Sequence, residues 1–230
     1  MTIAPEFLYA LALAAERCRG ERTIPWPAPG LPGGFVTFAS FGQWQETILG
    51  FRLADAVPLN MADLFDRALK LYLAAWLDFD LVTAGEMAAL AALEHSLRDC
   101  YLGHFRDRHT KKVVARAKSE KREPTLKENF RPEKVPLAAL LRHMHEHDEL
   151  TDDQLPCVRK YGGSIMRLLT GEADPSLAGM RNVRMHGNPF GSGYTSGLLE
   201  LVHDLIEYAY RDRIRETAGG ISHRISASEL

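Results

Sequence analysis

Cysteine is scarce in this 230-residue chain: Cys18, Cys100 and Cys157 are three in number, far apart, and form no CxxC pair. An odd, scattered set makes no disulfide framework and no thiolate metal cage, and reduced thiols are the expectation. Charge of one sign is lacking too, with 28 Lys+Arg against 30 Asp+Glu for a net −2. The chain is therefore no polycation, and any nucleic-acid contact has to come from a local patch. No run of 18 uncharged apolar residues occurs, so no membrane-spanning helix is expected. The apolar stretch 3–15 lacks a basic leader and is interrupted by Glu6, and Arg17 precedes Cys18, which argues against a signal peptide or lipoprotein site. A cytoplasmic protein is expected. What is present is an ordinary globular balance, 46% hydrophobic and 25% charged residues, enough for a real core.

Apolar periodicity and punctuation predict an all-α fold with an N-terminal elaboration over 1–59. A first helix is expected from Pro5 to Arg19, with Pro in its first turn and Gly20 past its end. Pro25, Pro27, Pro29 and Pro32 then argue against regular structure. The aromatic and β-branched runs 35–41 and 47–53, parted by Gly42, predict a small β-hairpin. From Asn60 the pattern is helical. Asn60 is the expected cap of a helix carrying Leu64, Ala68, Leu71 and Ala75 on one face. Thr83 and Glu86 have capping-box spacing ahead of a long helix, to about His104, that buries Met87, Leu90, Leu93, Leu97 and Tyr101. Further helices are expected over 137–149, after the Thr151/Gln154 box, from Asp174-Pro175 to Gly187-Asn188-Pro189, and over 196–215. The domain reading is a bundle over 60–217 with a basic insertion at 106–134, and a polar tail from 218.

The basic insertion is the one strong charge asymmetry. Eleven Lys/Arg, among them Lys111, Lys112, Arg116, Lys118, Lys121 and Arg122, face five acids. The local excess of +6 leaves −8 on the rest of the chain. Either a solvated helix and loop or a phosphate-contacting arm fits it. Only Phe105 and Phe130 at its edges could stack on bases, so little sequence choice is expected of such an arm.

Three stretches could carry chemistry. His143 and His147 share a helical face, the spacing of a two-histidine metal site. The HExxH order is absent and no third ligand lies nearby in sequence, so a polar outer face is the expectation and no metal or cofactor is assigned. Gly162-Gly163-Ser164 has neither GxxxxGK[ST] nor a preceding strand, and reads as a helix break. The third stretch runs from Met180 to Pro189, where Arg181, Asn182, Arg184 and His186 crowd the last turns of one helix before Gly187. The helix dipole favours a charged His186 while Arg181 opposes that charge, which poises an imidazole for proton transfer. An arginine beside it supplies a permanent fork for phosphate. Glu94, His95 and Arg98, one turn apart on the long helix, read as a solvated Glu–Arg pair, with a supporting role toward this motif as the alternative.

Arg181-Asn182-x-x-x-His186 resembles the R-x4–6-H signature of the HEPN superfamily (higher eukaryotes and prokaryotes nucleotide-binding), in which a polar residue commonly follows the arginine. The resemblance covers roughly residues 60–215. It implies an all-α bundle of HEPN type and a metal-independent endoribonuclease, a toxin or phage-defence effector, whose site forms where two protomers meet in a homodimer. It also implies roles for Arg181, Asn182 and His186 in cleavage, with Arg184 a weaker candidate, and an antitoxin or regulatory partner for toxin members. Toxin-type members often carry R-x4-H-x-Tyr, and this chain has Asn188 at the last position. The competing reading is a non-catalytic nucleic-acid- or protein-binding module of the same fold, in which Arg181 and Asn182 only join helices. Exposure separates the two: catalytic groups open onto a groove, structural ones are buried and satisfied.

Overall fold

The computed structural model describes residues 3–18, 20–31, 33–121, 130–185 and 195–226, with the side chains of 183–185 and 219–226 outside the description. Helix accounts for 66% of the structure, and a single two-stranded sheet is found among the described residues. The mainly α expectation holds.

Helix α1 (Pro5–Ala15) begins with Pro at its first turn, as expected, but stops four residues before Arg19. The proline-rich stretch is not wholly irregular. Strand β1 (Arg22–Pro25) pairs antiparallel with β2 (Phe35–Phe38), Thr23 opposite Thr37 and Ile24 opposite Val36. Pro25 sits at the end of this edge strand, where its missing N–H costs little. The expected hairpin between 35–41 and 47–53 is corrected, because 41–49 is helix α2 (Phe41–Leu49). Ser40 accepts the Gln43 N–H at 3.3 Å, and the Gln43 side chain accepts the Ala39 N–H at 2.8 Å. This reciprocal cap satisfies donors that β-propensity ignores. Trp44 and Ile48, one turn apart, form the buried face of α2.

Helix α3 (Leu59–Ala74) starts directly after Pro58, which puts Asn60 inside it rather than at its cap. Its fully buried positions are Phe65, Ala68, Leu69, Tyr72 and Leu73, while the expected Leu64 and Leu71 are half-buried. Helix α4 (Leu81–Ser119) runs 39 residues, well past His104. The expected Thr83 cap lies within it, and Glu86 turns into the core. The helix continues because nothing stops it: 104–119 contains no Pro or Gly, and Arg116 bonds Glu120 one turn on at 2.8 Å. Leu90, Leu93, Leu97 and Tyr101 are buried as expected.

Helix α5 (Leu137–His147) matches its expected range closely. The Thr151/Gln154 box is formed and opens a single 3-10 turn, followed by α6 (Pro156–Tyr161), α7 (Met166–Thr170) and α8 (Leu177–Met185). The expected single C-terminal helix is two, α9 (Leu198–Ala209) and α10 (Arg211–Ser226). They part at Tyr210, whose hydroxyl donates to Asp99 on α4 at 2.8 Å. The inward face of α9 is the expected one, Leu198, Leu201, Val202, Leu205 and Tyr208.

Helices α3, α4 and α9 form the centre, and the N-terminal elements close the same core rather than a separate one. Trp26, Phe38, Trp44 and Tyr72 meet edge to face at centroid distances of 4.9–6.4 Å. The α3–α4 crossing requires Gly85, since a Cβ there would lie 2.6 Å from the fully buried Tyr72 ring. Gly85→Ala gains about 1 kcal/mol of helix propensity. Overpacking costs about 1–3 kcal/mol. Tyr72 is enclosed and cannot swing aside, so the overpacking wins and a lower urea midpoint is expected. An unchanged or raised midpoint would show that the crossing opens freely.

Candidate functional site

Helix α8 carries Arg181 and Asn182 on its last turns, against α4 and α5. Arg181 is anchored from below by a carboxylate that reading by adjacency assigned to solvent. Glu94 accepts from Arg98 Nη2 at 2.7 Å on one oxygen and forms an ion pair with Arg181 Nη2 at 2.9 Å on the other. Side-chain exposures of 13% for Glu94, 18% for Arg98 and 30% for Arg181 place the cluster partly inside the protein. The solvated-pair expectation is thereby corrected. Glu94 faces α8 because, four residues after Leu90, it flanks the buried Leu90–Leu93–Leu97 stripe at the edge where the two helices meet.

Arg98 extends the cluster. Its Nη2 also donates to the Val135 carbonyl at 2.9 Å, and its Nη1 to the Pro132 carbonyl, so α4 holds the chain that leads into α5. Two guanidinium groups on one carboxylate leave a net positive site. Arg181 Nη1 approaches Asn182 Oδ1 at 3.3 Å, and Asn182 is exposed. A fork steadied on one side by a carboxylate, with an exposed amide beside it, can receive a phosphate oxygen without losing its anchor.

Arg184 lies on the last turn of α8, and its side chain is outside the described residues. His186 is also outside them, as are Gly187-Asn188-Pro189. Of the basic segment, Lys111, Lys112, Arg116 and Lys118 lie exposed on the C-terminal half of α4, and Lys121 is exposed just beyond it. Arg122 is outside the described residues. The segment up to Ser119 is thus an exposed helical face continuous with α4, the helical part of the helix-and-loop expectation.

Other polar groups are committed to structure. Buried Asp204 caps α6 by accepting the Cys157 N–H at 2.6 Å, and buried Glu200 accepts the Tyr161 hydroxyl at 2.7 Å. Glu86 accepts the Thr195 N–H at 2.7 Å, tying the approach to α9 onto α4. Gly162 ends α6 with a positive φ of 80°, which fits the helix-break reading of Gly162-Gly163-Ser164. Burial pushes the Cys100 thiol up to about 11, and burial followed by the Asp204 charge raises Cys157 further, so neither is a ready nucleophile.

His203 on α9 is a half-buried titrating group. Burial opposes its charge, but Asp204 at 3.0 Å and Glu207 at 3.6 Å outweigh burial and raise its pKa. A raised folded-state pKa stabilises the fold fully below the unfolded value of about 6.5, and that stability is lost as pH rises through the folded value. The melting-temperature gap between the wild type and His203→Gln should therefore shrink as pH rises from about 6 to 9. A gap that stays constant over that range would remove His203 as the source.

Two separated histidine sequences meet in the structure. His104 of α4 joins His143 and His147 of α5, supplying the third neighbour that sequence adjacency did not offer. No helix among the described residues is long and apolar enough to cross a membrane. No family profile, curated protein or solved structure matches this chain.

Proposed function

We propose that this chain is a metal-independent endoribonuclease of HEPN type, acting as a toxin or defence effector. The reading rests on one observation above the motif itself: Arg181 reaches the surface beside exposed Asn182 while a half-buried carboxylate holds it from behind. A guanidinium held by a carboxylate, with an exposed amide beside it, is placed to receive a phosphate oxygen.

RNA supplies its own nucleophile, the 2′-hydroxyl, so cleavage needs proton transfer and charge stabilisation. His186 would take the 2′-oxygen proton or deliver one to the departing 5′-oxygen. Arg181 would stabilise the charge gathering on the phosphoryl oxygens, and Asn182 would orient the phosphate or the imidazole. A second protomer across a two-fold axis would double the motif into one arginine-rich cleft. The exposed cations of α4 would hold the RNA backbone with steep salt dependence and little sequence choice.

The Glu94–Arg181 ion pair also favours a second reading, the binding module of the same fold in which that pair clamps α4 to α8. Cleavage of varied RNAs in EDTA, wild type beside Arg181→Ala and His186→Ala, decides between them. Loss of cleavage in folded variants supports the nuclease. Equal cleavage by all three removes the motif from the mechanism, and inactivity of the folded wild type favours the module.

A further inference from the structure

The three imidazoles at the α4–α5 junction form a cluster for which the RNA-cleaving site has no use. His143 and His147 project from successive turns of α5, and His104 meets them from α4. The ring centroids lie 4.3 Å apart for His104–His143, 4.5 Å for His143–His147 and 5.2 Å for His104–His147. One nitrogen from each ring falls within 4.8 Å of the other two. A tetrahedral zinc ion with Zn–N of about 2.0–2.1 Å needs donor nitrogens about 3.3–3.4 Å apart, a closure of at most about 1.5 Å from the spacing present.

The cluster is built rather than fortuitously exposed on all sides. His143 is the buried member, 8% exposed, with the Tyr101 ring 4.9 Å and the Phe105 ring 5.5 Å away. Tyr101 is itself fixed, its hydroxyl donating to Asp148 at 2.6 Å. The floor thus sets the plane of one ligand, and the exposed His104 and His147 close over it. The open side is a cleft of about 510 Å³ lined by Asp107, Arg108, Lys111 and Glu146 beside His104 and His147. Its two acids balance its two bases, so the rim does not repel a dication.

We propose that His104, His143 and His147 bind one divalent transition-metal ion, zinc by preference, with its fourth position open to this cleft. Three nitrogen donors without thiolate suit Zn(II) and its neighbours and do not suit Ca(II) or Mg(II). His104 lies ten residues along α4 from Glu94, about 15 Å along the helix axis. The ion therefore clamps α4 to α5 and leaves the Arg181 site to its own chemistry. The proposal stands or falls independently of RNA cleavage.

The test is calorimetric titration of ZnCl2 into the untagged, EDTA-dialysed full chain, with CoCl2 as a spectroscopic probe. One equivalent should bind, the melting temperature should rise, and Co(II) should show tetrahedral visible bands without a thiolate charge-transfer band. Removing a direct ligand should exceed the 10–100-fold loss typical of an outer partner, so His104→Ala and His147→Ala should each weaken binding by at least about 100-fold. Both positions are exposed, so these variants are expected to fold. His145, whose Nδ1 is engaged with the Leu150 carbonyl at 3.0 Å, is the control, and His145→Ala should bind as the wild type does. Absence of stoichiometric binding, binding that survives His104→Ala, or a thiolate band on Co(II) would each overturn the site.

Discussion

If the chain is the proposed nuclease, Arg181→Ala is expected to lower RNA cleavage in EDTA by about 10²–10³-fold, the usual loss when one donor to a developing oxyanion is removed. The fold should survive, because the half-buried Arg181 guanidinium leaves while Glu94 keeps Arg98 at 2.7 Å as its partner. The Glu94→Gln variant sharpens the assignment. The amide oxygen can still accept from one arginine, but the charge that steadied both is gone. A nuclease in which Glu94 positions Arg181 would then lose cleavage mainly in kcat while remaining folded. A binding module would show only a lowered melting temperature in both variants. Substituting Arg181 by lysine tests the fork itself, since a point charge does not reproduce two-pronged phosphate contact. Full cleavage by Arg181→Lys would restrict the role of Arg181 to charge alone. Melting curves in EDTA belong beside every assay, because the chelator also strips any ion from the His104–His143–His147 cluster.

The largest stability loss is expected from Trp44→Ala. Trp44 is fully buried and touches Trp26 and Phe38 edge to face, with centroids 5.6 and 4.9 Å away. Truncating such a side chain removes its transfer energy and leaves a cavity, about 3–5 kcal/mol together. That is a large fraction of a total stability of about 5–15 kcal/mol. Trp44→Phe separates packing from hydrogen bonding. It removes the indole N–H that donates to the Tyr72 carbonyl at 2.8 Å, a carbonyl that also accepts from Ala75 at 3.2 Å. Since that acceptor keeps a partner, the hydrogen-bond part of the loss should be only about 1 kcal/mol. Urea unfolding of the three proteins reads the difference. A Trp44→Ala loss below about 1 kcal/mol would mean that the N-terminal elements do not share the core of the bundle.

The outcome at α2 shows where sequence reasoning went astray. Residues 35–53 are rich in β-formers, and strand propensity is largely a preference for half-buried surface. Ser40 and Gln43 stood at capping distance and carried the opposite signal, which a local hydrogen-bond inventory would have weighed more heavily. Strand β2 took only 35–38, and its partner came from the proline-rich stretch that composition had marked as irregular. At α4 the error was the reverse. A run of Lys and Arg reads as insertion, yet these residues are good helix formers, and the helix passed through them to Ser119.

By itself the sequence determined the helical class, the buried stripes of α4 and α9, the Thr151/Gln154 box and the placement of Arg181 and Asn182 on the last turns of α8. Each of these is written in spacings of three or four residues, the range over which a helix repeats and a cap closes. Only the tertiary structure decided which groups those side chains meet. Glu94 reaches Arg181 from another helix, His104 completes a cluster begun by His143 and His147, and Trp26 finds Trp44 and Tyr72. Contacts between helices depend on how their packed faces cross, and residues distant along the chain carry no periodicity that announces their meeting.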